Sequence, residues 1–121
     1  MSDKSILLVV DSNLSNLGLL SQQLGREGYE TLAAASLEDL DQAIQGKKKI
    51  ALSLIDISGF DRHIWEHCEE LHKAKTPFIV ISPRRSPTIQ RHSMKHGASG
   101  LLVKPLEFKD LLEYIHTVLG D

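Results

Sequence analysis

Two carboxylates, a hydroxyl and an ammonium each stand at the end of an apolar run in this chain. Ile6–Val10 runs into Asp11, Ile50–Ile55 into Asp56, Phe78–Ile81 into Ser82, and Leu101–Val103 into Lys104 with Pro105 behind it. If the four runs are parallel strands, the four polar residues gather at one edge of one sheet, where open α/β folds bind ligands. Such a set can hold a divalent cation beside an acidic nucleophile, with donors ready for a phosphoryl group.

The elements needed to position these groups are legible in the pattern. A strand over about Ser5–Val10 precedes an amphipathic helix over about Asn13–Arg26, with Asn13 as N-cap, Leu14, Leu17, Leu20 and Leu24 on its inward stripe, and Gly28 as its stop. Tyr29–Ala34 reads as the second strand. Ser36 caps a helix through about Gln45, with Leu37, Leu40 and Ile44 inward. Gly46–Lys49 is a turn, and Ile50–Ile55 is the unbroken apolar run of a strand buried on both faces. A third helix over about Arg62–Ala74 carries Ile64, Trp65, Cys68 and Leu71 on its apolar face. Thr76–Ile81 forms the fourth strand, and Ser82–Pro87 is a loop. Thr88–His96 is a weaker helix, Gly100–Val103 the fifth strand, and Glu107–Leu119 a last helix with Phe108, Leu111, Leu112, Ile115 and Leu119 inward. Five such units with short connections imply a doubly wound parallel α/β sheet, flavodoxin-like (βα)5, in the order 2-1-3-4-5. Its switch point falls between the strands that end at Asp11 and Asp56.

The chain as a whole narrows the function classes. Its 121 residues suit a single domain spanning 1–121, and 41% hydrophobic with 25% charged residues is ordinary for a soluble globule. A net charge of −2 argues neither for nor against a nucleic-acid partner, and direct nucleic-acid binding is not expected because no DNA-reading motif is apparent. No apolar run reaches membrane-spanning length, and Met1–Lys4 leads straight into a strand without a signal peptide, so a cytoplasmic location is expected. One cysteine, Cys68, excludes an internal disulfide and reads as core. Between Leu71 and Leu106 there is no acid, yet seven Lys and Arg fall there. That bias reads first as a solvated face and second as a docking surface for an acidic partner. His63 with His67, and His92 with His96, sit four apart at a spacing that suits two metal ligands; without a third ligand they read as solvated helix faces, and Trp65 as packing.

Order, spacing and residue types resemble the response-regulator receiver domain of two-component signalling across essentially the whole chain. The pieces that carry it are Ile6-Leu-Leu-Val-Val-Asp11-Ser12-Asn13, Gly28-Tyr29-Glu30, Leu54-Ile-Asp56, Ile79-Val-Ile-Ser82 and Gly97-Ala-Ser-Gly-Leu-Leu-Val-Lys104-Pro105. The resemblance implies that Asp56 accepts a phosphoryl group from a phosphohistidine on a sensor histidine kinase or phosphotransfer protein. It implies Mg²⁺ held by Asp11, Asp56 and the backbone carbonyl of Ser58. Ser82 matches the hydroxyl that bonds the phosphoryl oxygen, Lys104 the lysine that pairs with it, and Pro105 a proline that usually follows by a cis bond. The resemblance further implies a phosphorylation-controlled interaction as the output, not turnover of a separate substrate, passed through the fourth helix–fifth strand–last helix face to a downstream protein; a homodimer is left open.

Four departures accompany these matches. Ser12 stands where the family usually has a second acid, which implies weaker metal binding. Pro83 stands where a small residue offers its N–H to the phosphoryl group, and proline has none. Gly59-Phe60 replaces a usual Met-Pro, and Leu101 replaces a Tyr or Phe that turns inward when the hydroxyl moves. They motivate an alternative expectation, a pseudo-receiver of the same fold that binds its partner without phosphorylation.

Overall fold

The computed structural model describes residues 5–120; the N-terminal expectation placed on Met1–Lys4 lies outside them. Its elements run β1 (Ile6–Val10), α1 (Leu14–Arg26), β2 (Glu30–Ala34), α2 (Leu37–Gln45), β3 (Leu52–Asp56), α3 (Ile64–Lys73), β4 (Phe78–Ser82), α4 (Pro87–Lys95), β5 (Gly100–Val103) and α5 (Phe108–Leu119). All pairings are parallel and the strand order is β2-β1-β3-β4-β5, as the alternating pattern implies.

Period-two alternation sends each central strand's side chains to two separate cores. Leu7, Val9, Leu52, Leu54 and Ile79 pack under α1 and α5 with Leu17, Leu24, Leu111 and Ile115. Leu8, Val10, Ile55, Phe78 and Val80 pack on the other face, against Leu40 of α2 and Ile64, Trp65, Cys68 and Leu71 of α3. β3 and β4 are buried throughout, the burial expected of central strands covered on both faces.

Capping chemistry fixes where the helices begin. Asn13 accepts from the Asn16 N–H at 3.0 Å. Ser36 accepts from the Asp39 N–H while the Asp39 carboxylate accepts from the Ala35 N–H, two contacts that tie the start of α2 from both sides. Ser86 caps α4 by accepting from the Ile89 N–H at 3.2 Å.

Several boundaries differ from the sequence reading. Pro87 opens α4 instead of closing the loop before it, because a proline at the first helical position gives up an N–H that would be unpaired anyway. α3 begins at Ile64, not Arg62: the Asp61 carboxylate accepts from the His63 N–H at 2.9 Å and holds a turn there. β3 starts at Leu52, two residues after Ile50, and β4 covers Phe78–Ser82, so Ser82 belongs to the strand and not to the loop. Leu14, placed on the inward stripe of α1, is 73% exposed, since its turn begins just past the end of β1, beyond the apolar part of the sheet.

Candidate functional site

Register alone brings the strand ends together. Val10 lies beside Ile55, so Asp11 and Asp56 follow side by side at the edge of β1 and β3. Asp56 lies beside Ile81, and Ser82 beside Val103, which places Lys104 one residue past β5 with its N–H donating to the Ser82 carbonyl at 3.0 Å. The Lys104–Pro105 peptide is cis.

The two carboxylates are buried, Asp11 at 7% and Asp56 at 4% exposure. Asp56 uses both oxygens: Oδ1 accepts from the Ser58 N–H at 2.9 Å, and Oδ2 pairs with Lys104 Nζ at 2.5 Å. Asp11 Oδ1 accepts from the Asn13 N–H at 2.9 Å. Burial pushes the Asp11 carboxyl above its ordinary value. The Asn13 N–H works against that rise, the neighbouring Asp56 charge adds to it, and Lys104 counters it weakly. Asp11, Asp56 and Lys104 share a cavity of about 470 Å³ whose far wall is apolar, with Leu19 and Leu20 of α1 and Phe108 of α5.

The other two expected residues are not among those lining this cavity. The Ser82 hydroxyl, on a residue 1% exposed, donates to the Arg84 carbonyl at 2.5 Å and is not part of the cavity wall. The Ser58 carbonyl accepts from the Ser12 hydroxyl at 2.9 Å. Ser12 therefore bridges the loop after β1 to the loop after β3, and Gly59, at φ +81°, leaves no room there for a Cβ against the Ser12 hydroxyl. Neither hydroxyl direction is written in the sequence; only the proximity of the residues is.

Two further features lie away from the carboxylates. A groove of about 500 Å³ runs between α4 and β5, with Leu101 in its wall, Arg84 and Arg85 at one end and the exposed Met94 along its rim. On the opposite side of α4, His92 and His96 stack on Trp65 of α3, with ring centroids 5.2 and 5.7 Å away. That corrects the expectation of fully solvated histidine faces: both rings are half-buried, as is His67 on α3, while His63, just before α3, is exposed as expected.

A family model, the response regulator receiver domain, matches residues 7–116. The chain belongs to the response regulator receiver family. Receiver domains of this family serve two-component signalling, and as a class they are signalling modules. Among curated relatives, the transcriptional regulatory protein YxdJ of Bacillus subtilis is 27% identical over 111 residues, 90% of this chain and 48% of that protein. The polar-differentiation response regulator DivK of Brucella ovis is 28% identical over 123 residues, 98% of each. The chain thus spans about half of the first relative and nearly all of the second. A CheY-like receiver domain protein from Methanospirillum hungatei superposes with a TM-score of 0.87 at 30% identity, covering 98% of this chain and 95% of that one. The chemotaxis protein CheY4 of Vibrio cholerae superposes with a TM-score of 0.83 at 25% identity, over 97% and 100%. Among the described residues of this receiver, no helix is long and apolar enough to cross a membrane.

Proposed function

We propose that this receiver accepts a phosphoryl group on Asp56 from the phosphohistidine of a sensor kinase or phosphotransfer protein, and that the acceptance controls binding of a downstream protein. The observation that carries the reading is the junction of Asp11, Asp56 and Lys104 in one cavity at the switch point of the sheet. In the transfer an Asp56 carboxylate oxygen attacks phosphorus, the phosphorus–nitrogen bond breaks, and the electron pair returns to the imidazole, which takes up a proton. The product is an acyl phosphate. A carboxylate is a weak nucleophile toward an anionic phosphoryl group, so the surrounding charge decides the rate.

Lys104 supplies one fixed positive charge. It holds the acceptor oxygen at rest, and its ammonium then has a phosphoryl oxygen within reach as the charge moves outward. The donor set also suits Mg²⁺. Asp11, Asp56 and the Ser58 carbonyl are all hard oxygen donors, and the two buried carboxylates stand side by side, where a cation would neutralise their charge. When bound, that ion would offset repulsion between the carboxylates and the incoming phosphate. Ser12 lowers the affinity, since its hydroxyl stands where an acid would add a full charge and it already occupies one lone pair of the Ser58 carbonyl.

Ser82 completes the switch by leaving the Arg84 carbonyl for a phosphoryl oxygen, without help from Pro83, which has no N–H. Partner binding then falls to the face formed by α4, β5 and α5. There the groove with Arg84 and Arg85 at its end suits an acidic partner with an apolar anchor. Incubation with acetyl phosphate and Mg²⁺ should add one phosphate to the intact protein, and Asp56→Asn should abolish it. No mass change at any Mg²⁺ concentration defeats the reading.

A second reading has a specific motive: both hydroxyls nearest the acceptor are bonded to backbone carbonyls, Ser12 to Ser58 and Ser82 to Arg84. In that reading the fold binds its partner constitutively and Asp56→Asn leaves binding unchanged. Loss of partner binding or output in that variant decides for the phosphorylated switch.

A further inference from the structure

α4 is lightly anchored: Ser93 is its one fully buried residue. On its α3 side the contact is aromatic. Trp65, 9% exposed, carries His92 at 5.2 Å and 15° between ring planes, and His96 at 5.7 Å and 22°. The two imidazoles stack on each other at 5.9 Å. Their nitrogens are not equivalent. His96 Nδ1 lies 2.8 Å from the His92 carbonyl, and because a carbonyl only accepts, that nitrogen carries the hydrogen. His92 Nδ1 is buried with no hydrogen-bond partner.

We infer that this triple stack is a pH-sensitive latch which holds α4 against α3 while His92 is neutral and releases it on acidification. A neutral His92 keeps its hydrogen on the other nitrogen, so the buried Nδ1 is only an idle acceptor. Protonation turns it into a charged N–H with nothing to receive it, and such a group is costly to bury. A second charge on His96 would lie in the neighbouring ring of the same stack, and α4 adds Arg91 and Lys95 beside them.

Other groups around the rings pull both ways. α3 offers Glu66, Glu69, His67 and His72, with the His72 ring packed on Gly97 just beyond α4. β4 and β5 beneath carry no titratable side chain. Among the described residues neither ring is ion-paired to a carboxylate. Both rings lie on the Trp65 face at the C-terminal end of α4, which favours a cation on either. What sets His92 apart is its buried Nδ1, which becomes a donor without an acceptor once it carries a hydrogen and gains one when the stack opens to water. Acidification on that ground favours the open arrangement. Because α4 also borders the groove with Arg84 and Arg85, the latch couples acidity to the shape of that face without touching Asp56.

Trp65 is the sole tryptophan, so acrylamide quenching reads the latch directly. Between about pH 7.5 and 5.5, the ordinary titration range of imidazole, the quenching constant should rise about twofold or more while far-UV ellipticity holds. His92→Phe keeps the stack without the nitrogens and should remain at the neutral-pH value throughout. His92→Gln removes the ring and should quench readily at both pH values. An unchanged constant in the unmodified protein overturns the inference, as does a rise that persists in His92→Phe or one accompanied by lost ellipticity.

Discussion

Lys104→Met isolates what the ammonium does for the buried carboxylates. In the folded protein Asp56 is 4% exposed, with the Ser58 N–H and Lys104 Nζ as its partners, and Asp11 stands beside it with its carboxyl already pushed upward by burial. Removing the ammonium leaves two desolvated carboxylates and no cation. Breaking a buried pair from one side costs about 3–5 kcal/mol. The low end, about 3 kcal/mol, applies because the Lys104 side chain is 37% exposed and water enters the space it vacates. In urea this amounts to a midpoint lowered by roughly 1–3 M at unchanged slope, given slopes of about 1–3 kcal/mol/M for small domains. Asp56→Asn should cost far less, since the freed ammonium reaches solvent and the charge beside Asp11 disappears. The double variant should resemble Asp56→Asn alone. The pH dependence has a definite sign. The Asp11 carboxyl, raised by burial, binds a proton more tightly in the folded protein, so its penalty is full above the folded value. It shrinks as pH falls toward the ordinary 3.8. The deficit of Lys104→Met should accordingly narrow on acidification. Denaturation curves in Mg²⁺-free buffer at neutral and mildly acidic pH supply the test. Lys104→Met within about 0.5 kcal/mol of the parent at neutral pH, the scatter of ordinary surface changes, refutes the argument. So does a double variant as unstable as Lys104→Met itself.

Asp11→Asn removes a desolvated charge and should raise stability by about 1 kcal/mol without metal, while Mg²⁺ binding measured calorimetrically weakens. A fall in stability with affinity intact contradicts both halves. Burial pushes the Cys68 thiol up to about 12, so a thiol reagent at neutral pH should modify the protein only after denaturant is added. Gly100→Ala drives a Cβ into the Tyr114 ring and should cost about 1–3 kcal/mol, much of it recovered by Tyr114→Ala in the same chain; thermal melts of the three variants check this. Gly59→Ala meets both a positive φ and the Ser12 hydroxyl, and it should lower the melting temperature more than Ser12→Ala does.

The strand-end residues were legible because two periodicities coincide with chemistry. Apolar runs at Ile6–Val10, Ile50–Ile55, Phe78–Ile81 and Leu101–Val103 dictate buried parallel strands, and parallel register then gathers whatever follows them. The inward faces of α3 and, Leu112 apart, of α5 followed from helical spacing for the same reason. Leu14 escaped that logic because periodicity states which side of a helix is apolar but not where the sheet beneath it ends. Pro87 escaped because proline breaks a helix everywhere except where one starts. The hydroxyl bonds of Ser12 and Ser82 depend on rotamers set by loop shape, around Gly59 in one case and Pro83 in the other. The Trp65–His92–His96 stack joins two helices across a strand, a separation no local pattern reports.

The bond from the Ser82 hydroxyl to the Arg84 carbonyl bears on how quiet the unstimulated protein is. A neutral hydrogen bond of this sort contributes about 0.5–1.5 kcal/mol net, a two- to roughly tenfold preference for the arrangement that keeps the hydroxyl back. On the reading of Asp56 as acceptor, that preference limits leakage into the signalling state before any phosphate arrives, and it is modest. The same smallness keeps the threshold low, so a phosphoryl oxygen offering a charge-assisted bond exceeds it readily. On that same reading, basal noise and responsiveness are set together by one backbone carbonyl, and the shape of the Pro83–Arg84 turn tunes both.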